Sequence, residues 1–365
     1  MSLLRTIRLA CLAAGLAAPL AHADWLVGVA GPFTGQYASA GDQIKKGAEA
    51  AAADINAKGG VLGQKIRLEY GDDACDPKQA VAAANALVNK KIQFVHGHWC
   101  SSSTIPASDI YNDADILMAT VSTNPQVTER GLKNIFRIMG RDDQQGAMIG
   151  QWITSHFKDK KVAVLDDKSA YGKGLADEIA KAMKAHGKTP VLRESITAGE
   201  KDYSGMVTRL KNAGVDVLAY GGYHTEVALL LRQADQIGLP LTVFGGDTMT
   251  NSELVTAAGK LADRVYFTFT PDPRKNPKAA AIVERFRAAK IEPEGYVLYA
   301  YAALQLFQQA VTKAGGVERA KLEPALRQGK FDTAIGTLEF DAKGDLKTPA
   351  FAVYKWTGGS YDYAK

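Results

Sequence analysis

The stretch Ile92-Gln93-Phe94-Val95-His96-Gly97-His98-Trp99-Cys100-Ser101-Ser102-Ser103 decides how the chain is read. Ile92, Phe94 and Val95 form a short apolar run of the kind found in buried strands. Three small hydroxyl residues follow and open a helical stretch. A strand that leads straight into a helix start brings backbone N–H groups and hydroxyls together, which suits an anion. Ser101 is the first candidate, since its hydroxyl and N–H can both meet a carboxylate; an ordinary helix cap is the plainer alternative.

Working outward, the same strand-then-helix unit recurs along the chain. Leu26–Val29 precedes helical spacing at Ile44, Ala48, Ala51, Ala52 and Ile55, which Lys58-Gly59-Gly60 stops. Lys65–Tyr70 precedes a helix over Pro77–Asn89, and Ile92–Val95 a helix over Ser101–Asn112. Ile116–Ala119 closes the first series. After Gly140-Arg141-Asp142-Asp143 the pattern restarts with a helix over Gln144–Phe157 and a strand at Val162–Leu165. Helices over Gly174–Ala185, Ser204–Asn212 and Thr225–Gln236 then alternate with strands near Val191, at Val215–Ala219 and at Thr242–Phe244. Repeated units of this kind imply an α/β fold whose ligands sit beyond the carboxyl ends of parallel strands. Pro271–Pro277 reads as a crossing segment, followed by helices over Gly295–Ala314 and Glu318–Gln328 and strands near Thr337–Phe340 and Ala350–Trp356.

The first 23 residues have the form of a secretion signal. Arg5 and Arg8 are basic, Leu9–Leu20 is apolar, and Ala21-His22-Ala23 is a small-x-small cleavage site. The mature chain is expected to begin at Asp24 in the periplasm. It would keep 342 of the 365 residues, more than the roughly 250 to 300 that one core usually supports, so two domains are expected. Without Arg5 and Arg8 the net charge falls from +5 to +3, too balanced for a nucleic-acid partner. Cys75 and Cys100 are the two cysteines left. In an oxidising compartment an even count suggests one disulfide, with two free buried thiols as the alternative.

Catalytic and cofactor motifs are absent. The chain has no Rossmann or phosphate-loop fingerprint, no His-Glu-x-x-His and no Gly-x-Ser-x-Gly. His96 and His98 alternate and could share a face as a metal pair, but a third ligand is not evident and a structural role is favoured. Neither an enzyme activity nor a cofactor or metal is expected. Three further polar loops follow apolar strands: Val121-Ser122-Thr123-Asn124, Gly221-Gly222-Tyr223-His224 and Gly245-Gly246-Asp247. Four such loops, drawn from both halves, point to a cleft between domains.

At these residues the chain resembles the leucine/isoleucine/valine-binding proteins of ABC importers, within the type I periplasmic binding proteins. The resemblance spans the mature chain. It is most specific at Asp54-Ile55-Asn56-Ala57-Lys58-Gly59-Gly60 and Asp72-Asp73-Ala74-Cys75-Asp76-Pro77-Lys78-Gln79-Ala80-Val81. Cys100-Ser101-Ser102-Ser103-Thr104, Gly199-Glu200-Lys201-Asp202 and Gly221-Gly222-Tyr223 add to it. It implies two doubly wound α/β lobes joined by a three-segment hinge: 24–141 with 271–352, and 142–270 with 353–365. It further implies an amino acid, branched-chain by default, buried between the lobes and delivered to an inner-membrane permease by a monomer; Trp99 and Ala40 leave other small amino acids, aromatic acids and γ-aminobutyrate-like ligands open. A sensor that reports amino acids or amides to a receptor is the alternative.

By the same resemblance the disulfide is Cys75–Cys100, Ser101 and Thr123 hold the ligand carboxylate, and the Val121 carbonyl and Asp247 hold its ammonium. Tyr223 completes the polar set, while Tyr171, Tyr296 and Trp99 wall the pocket. Three positions depart from the family pattern. Asp247 stands where glutamate is usual, Ala40 where an aromatic is usual (Tyr37 lies nearby), and Trp99 where an aliphatic residue is usual. The loop at Thr120 is one residue shorter, which leaves a one-residue slip open for Val121 and Thr123.

Overall fold

The computed structural model describes residues 24–365; the expected secretion signal and its cleavage site lie outside them. In chain order the first elements are β1 (Trp25–Gly31), α1 (Ala38–Ala57), β2 (Ile66–Asp72), α2 (Pro77–Asn89), β3 (Phe94–His96), α3 (Ser101–Asp113), β4 (Leu117–Thr120), α4 (Gln126–Glu129) and β5 (Ile135–Arg137). The second series is α5 (Asp142–His156), β6 (Val162–Asp166), α6 (Ala170–Ala185), β7 (Leu192–Ser195), α7 (Ser204–Asn212), β8 (Val217–Gly221), α8 (His224–Gln236), β9 (Thr242–Gly245), α9 (Glu253–Ala258) and β10 (Val265–Phe269). Then come α10 (Ala280–Ala288), α11 (Val297–Ala314), α12 (Arg319–Gln328), β11 (Phe331–Thr333), β12 (Gly336–Leu338), β13 (Ala352–Thr357) and β14 (Ser360–Tyr363).

These strands form two large sheets. The first is parallel, in the order β2-β1-β3-β4-β5. The second runs β14-β13-β10-β9-β8-β6-β7, parallel from β10 to β7, with β13 and β14 antiparallel at its edge. β3, β4, β6 and β8 are buried along their whole length, as strands covered by helices on both faces must be. In each sheet the strand order reverses beside the first strand of its series, which opens a crevice at the carboxyl ends.

Local signals set several boundaries. Asp76 caps α2 by accepting from the N–H groups of Lys78 and Gln79, and Pro77 supplies the first turn. Ser169 caps α6 in the same way, so that helix begins four residues before its expected start and carries Tyr171 in its first turn. Packing is closest where glycine replaces a side chain. A Cβ on Gly146 or Gly150 of α5 would stand 2.6 and 2.5 Å from the Cβ atoms of Glu178 and Ala182 on α6. A Cβ on Gly47 of α1 would lie 2.0 Å from the Val297 carbonyl of α11. Helix α11 thus packs on the first sheet's layer although it follows β10 of the second. The chain therefore passes between the two layers after β5, after β10 and before β13. Among the described residues no helix is long and apolar enough to cross a membrane.

Candidate functional site

The loop after β3 is fixed by one carbonyl. The His98 oxygen accepts from the hydroxyls of Thr104 at 3.2 Å, Thr120 at 2.9 Å and Ser122 at 3.1 Å. Its imidazole is held too: Nδ1 lies 2.5 Å from Asp73 Oδ2 and Nε2 3.2 Å from the Tyr111 hydroxyl. Asp73 in turn accepts the Cys75 N–H at 2.7 Å. The Cys75–Cys100 disulfide joins the same two loops, with its Cα atoms 5.5 Å apart. Cys100 then caps α3 in an extended conformation, and Ser101 opens the helix, where the first N–H groups lack intrahelical acceptors.

His96 and His98 do not act together. His96 bonds the Ala119 carbonyl at 3.1 Å and burial lowers its pKa to about 4, whereas His98 belongs to the Asp73–Tyr111 network beyond the strand. No group of three or more ligating side chains able to hold a metal occurs among the described residues.

The next loop, Val121–Asn124, is gripped by Arg137. Its Nη1 donates to the carbonyls of Ser122 and Asn124, each at 2.8 Å, and its Nε pairs with Asp345 at 2.7 Å. The Asn124 N–H reaches the Ser101 hydroxyl at 3.3 Å, so the two carboxyl-end loops of the first sheet form one cradle. Val121, Thr123 and Ser101 are all buried there.

From the other sheet, Tyr171, Tyr223 and Asp247 come in at the ends of β6, β8 and β9. Asp247 is the centre. Its Oδ1 accepts from the Tyr171 hydroxyl at 3.0 Å and Gln145 Nε2 at 2.9 Å, and its Oδ2 accepts from the Tyr296 hydroxyl at 2.5 Å. Burial raises its pKa, and these three donors pull it back. Tyr296 precedes α11 and is tied by its N–H to Gln43 of α1, so its bond to Asp247 joins the two layers.

An aromatic box stands beside these groups. Trp99 lies 5.2 Å from Tyr223, 5.4 Å edge-on from Tyr296 and 6.1 Å from Tyr37, ring centre to ring centre. Tyr37 packs at 4.3 Å on Tyr223, which packs at 5.3 Å on Tyr171. The layers also meet at the rim. Ser39 donates to Glu253 at 2.5 Å, Asn251 donates to Ser39 at 2.9 Å, and Asn124 donates to the Ala170 carbonyl at 2.6 Å.

The eight expected ligand residues thus gather where the strand ends face each other, seven of them beyond strands and Tyr296 just before α11, and are at most 5% exposed. Three residues that sequence reasoning missed belong to the same cluster. Gln145 is saturated: besides donating to Asp247, it accepts the Asp247 N–H at 2.8 Å and the Thr268 hydroxyl at 2.7 Å. Asp142 bonds Gln145 at 3.1 Å, and its N–H donates to the Thr123 carbonyl at 2.9 Å. Asp167, at the end of β6, is buried with its pKa raised to about 7. The available signal was a polar residue on an inward face. Gln145 shares its side of α5 with Gly146, Ile149 and Ile153. A 320 Å³ groove between α1 and α10, lined by Asp54, Arg285 and Phe286, lies apart from this cluster.

Comparison with known proteins agrees with this architecture. Residues 25–360 match the family model described as periplasmic binding protein. The Leu/Ile/Val-binding protein homolog 1 of Brucella suis is 46% identical over 348 residues, covering 94% of each chain. An amino acid binding protein of Pseudomonas aeruginosa is 48% identical over 340 residues, covering 92% of this chain and 91% of its own. Among solved structures, a leucine binding protein of Thermotoga maritima superposes with a TM-score of 0.85 at 25% identity, covering 93% of this chain and 97% of its own. The isoleucine complex of a branched-chain amino acid transporter substrate binding protein from Streptococcus pneumoniae gives 0.84 at 25% identity, covering 94% and 99%. Two α/β layers that meet strand-end to strand-end, matched over nearly their whole length, place this chain in the periplasmic binding protein family.

Proposed function

We propose that the protein captures an amino acid between two lobes, residues 24–141 with 271–352 and residues 142–270 with 353–365, and delivers it to an inner-membrane ABC permease. It acts by binding, without turnover, as a monomer in the periplasm after removal of residues 1–23. The observation that carries this reading is Asp247, a buried carboxylate clamped by Tyr171, Tyr296 and Gln145, with Tyr296 in turn packed edge-on against Trp99, two residues before the Ser101 helix start. A zwitterion matches these two sites, its ammonium toward Asp247 and the Val121 carbonyl, its carboxylate toward Ser101 and Thr123. Contacts divided between lobes are complete only on closure, so ligand and closure support each other. The names of the relatives favour a branched-chain ligand. Trp99 narrows the side-chain end and favours smaller members of that class.

Mass spectrometry of the small molecule that co-purifies identifies the ligand directly. Calorimetry on stripped protein across an amino-acid panel is expected to find at least one binder tighter than ~100 μM, about −5.5 kcal/mol. Asp247→Asn should weaken that binder by more than about 1 kcal/mol, because an ammonium contact loses its charge. An unchanged affinity removes Asp247 from the site.

A further inference from the structure

We propose that Asp142 is a second carboxylate of the ligand site and shares the ammonium with Asp247, so that binding of an amino acid displaces a proton. The inference rests on the amino-acid reading given above and assigns a role to a residue at the start of α5.

Asp142 is wholly buried. Its Oδ1 accepts from Gln145 Nε2 at 3.1 Å, and its Oδ2 has no hydrogen-bond partner. Asp142, the first residue of α5, turns one oxygen to Gln145, and the other has only the Thr123 hydroxyl near it and makes no hydrogen bond, which is costly for a buried carboxylate. The same Gln145 nitrogen donates to Asp247 Oδ1 at 2.9 Å. One amide nitrogen therefore holds two carboxylates, and the oxygens it touches are at most about 6 Å apart. An ammonium with three N–H groups spans such a pair.

The charges around the pair support the assignment. The neighbouring cation is Arg137 on β5, but its guanidinium is occupied by Asp345, Thr128 and the carbonyls of Ser122 and Asn124. Arg141, next in sequence, goes to Asp143, Glu129 and Asp345. The remaining groups facing Asp142 are hydroxyls and acids: Thr123 from the first layer, Tyr171 on α6, Tyr223 before α8, and Asp247 itself. Among the described residues no cationic side chain bonds either Asp142 or Asp247.

Burial, and then the charge of Asp247, push the Asp142 carboxyl well above the usual carboxylate range. Without a cation beside it, a carboxyl so placed favours its protonated form. An arriving ammonium supplies the missing positive charge, the carboxyl ionises, and the proton passes to solvent. A group whose pKa falls on binding makes affinity rise with pH for as long as it is protonated beforehand. The ligand class narrows accordingly to molecules with a cationic nitrogen. A carboxylic acid without one would bring a negative charge and no cation to offset the ionisation of Asp142 beside Asp247.

The test is calorimetry with L-leucine, with the rest of the amino-acid panel, and with 4-methylpentanoate as the amine-free probe. Wild type, Asp142→Asn and Asp247→Asn are titrated from pH 6 to 9 in buffers of different ionisation heat. Wild type should release up to one proton per amino acid bound, bind more tightly as pH rises, and refuse 4-methylpentanoate. Asp142→Asn should release none, bind at least tenfold more weakly at pH 8, and melt no lower than wild type without ligand. Wild-type binding without proton release overturns the proposal and needs no variant to show it. Unchanged affinity in Asp142→Asn, with loss in Asp247→Asn, overturns the role of Asp142 alone. Failure of wild type to bind any amino acid overturns both this inference and the function on which it rests.

Discussion

Trp99 shows how one side chain resets a pocket. By the resemblance, an aliphatic residue is usual there and an aromatic at Ala40, so that bulk is expected to be added at one position and removed at the other. The indole sits against Tyr223 and Tyr296, with Tyr37 6.1 Å away, and is 5% exposed. In the proposed site its ring would take volume that a ligand side chain could otherwise fill, and interiors this dense do not give way easily. Trp99→Leu is therefore expected to move selectivity toward larger side chains. The affinity ratio of phenylalanine to alanine should rise at least tenfold, or about 1.4 kcal/mol, when both are titrated into wild type and variant. An unchanged ratio would show that Trp99 does not border the side-chain end.

At the scale of elements, the start of α3 is secured twice. The disulfide joins the 75 and 100 loops, and the Asp73–His98 pair joins them again a few residues away. The two ties act on different states. A crosslink over a 25-residue separation acts mainly on the unfolded chain and contributes about 3 kcal/mol in the chain-entropy model. The His98 carbonyl, with its three hydroxyl donors, acts on native geometry. The double variant Cys75→Ser/Cys100→Ser should melt several degrees lower yet bind amino acid within about threefold of wild type. A tenfold loss of affinity with little change in melting would reverse that division of labour.

At the scale of the molecule, the two layers meet at the rim through few bonds. Ser39, at the start of α1, donates to Glu253, which His224 also meets at 3.0 Å, and accepts from Asn251. Tyr37 lies nearby with its hydroxyl 3.4 Å from Glu226. Glu253, Asn251, His224 and Glu226 all come from the second layer, so these contacts exist only while the lobes touch. Ser39→Ala removes two of them without disturbing either core. A typical hydrogen bond contributes about 1 kcal/mol net, so the ligand should leave roughly five- to thirtyfold faster in stopped-flow release. Melting of the ligand-free protein should stay the same. Unchanged release would mean that the rim does not govern opening.

The sequence by itself determined what is local. Apolar runs, caps and glycine stops depend on neighbours a few residues away, and so the helices Pro77–Asn89 and Ser204–Asn212 were legible to the residue. The βα alternation, and with it the fold class, followed from the same periodicities. The carboxylate cradle at Ser101 was legible as a helix start, whereas the roles given to Asp247, Tyr223 and Tyr296 came from resemblance. Tertiary structure decided the rest. β5 has three residues and becomes a strand only by pairing with β4, and β10 is defined by β9 and β13 on its two sides. Helix α11 follows the second sheet in sequence but packs on α1 of the first, as no local pattern dictates. Gln145 and Asp142 look like ordinary polar residues at the start of a helix. Only folding sets them beside Asp247, about a hundred residues away, in a buried place where a carboxylate must find a proton or a cation.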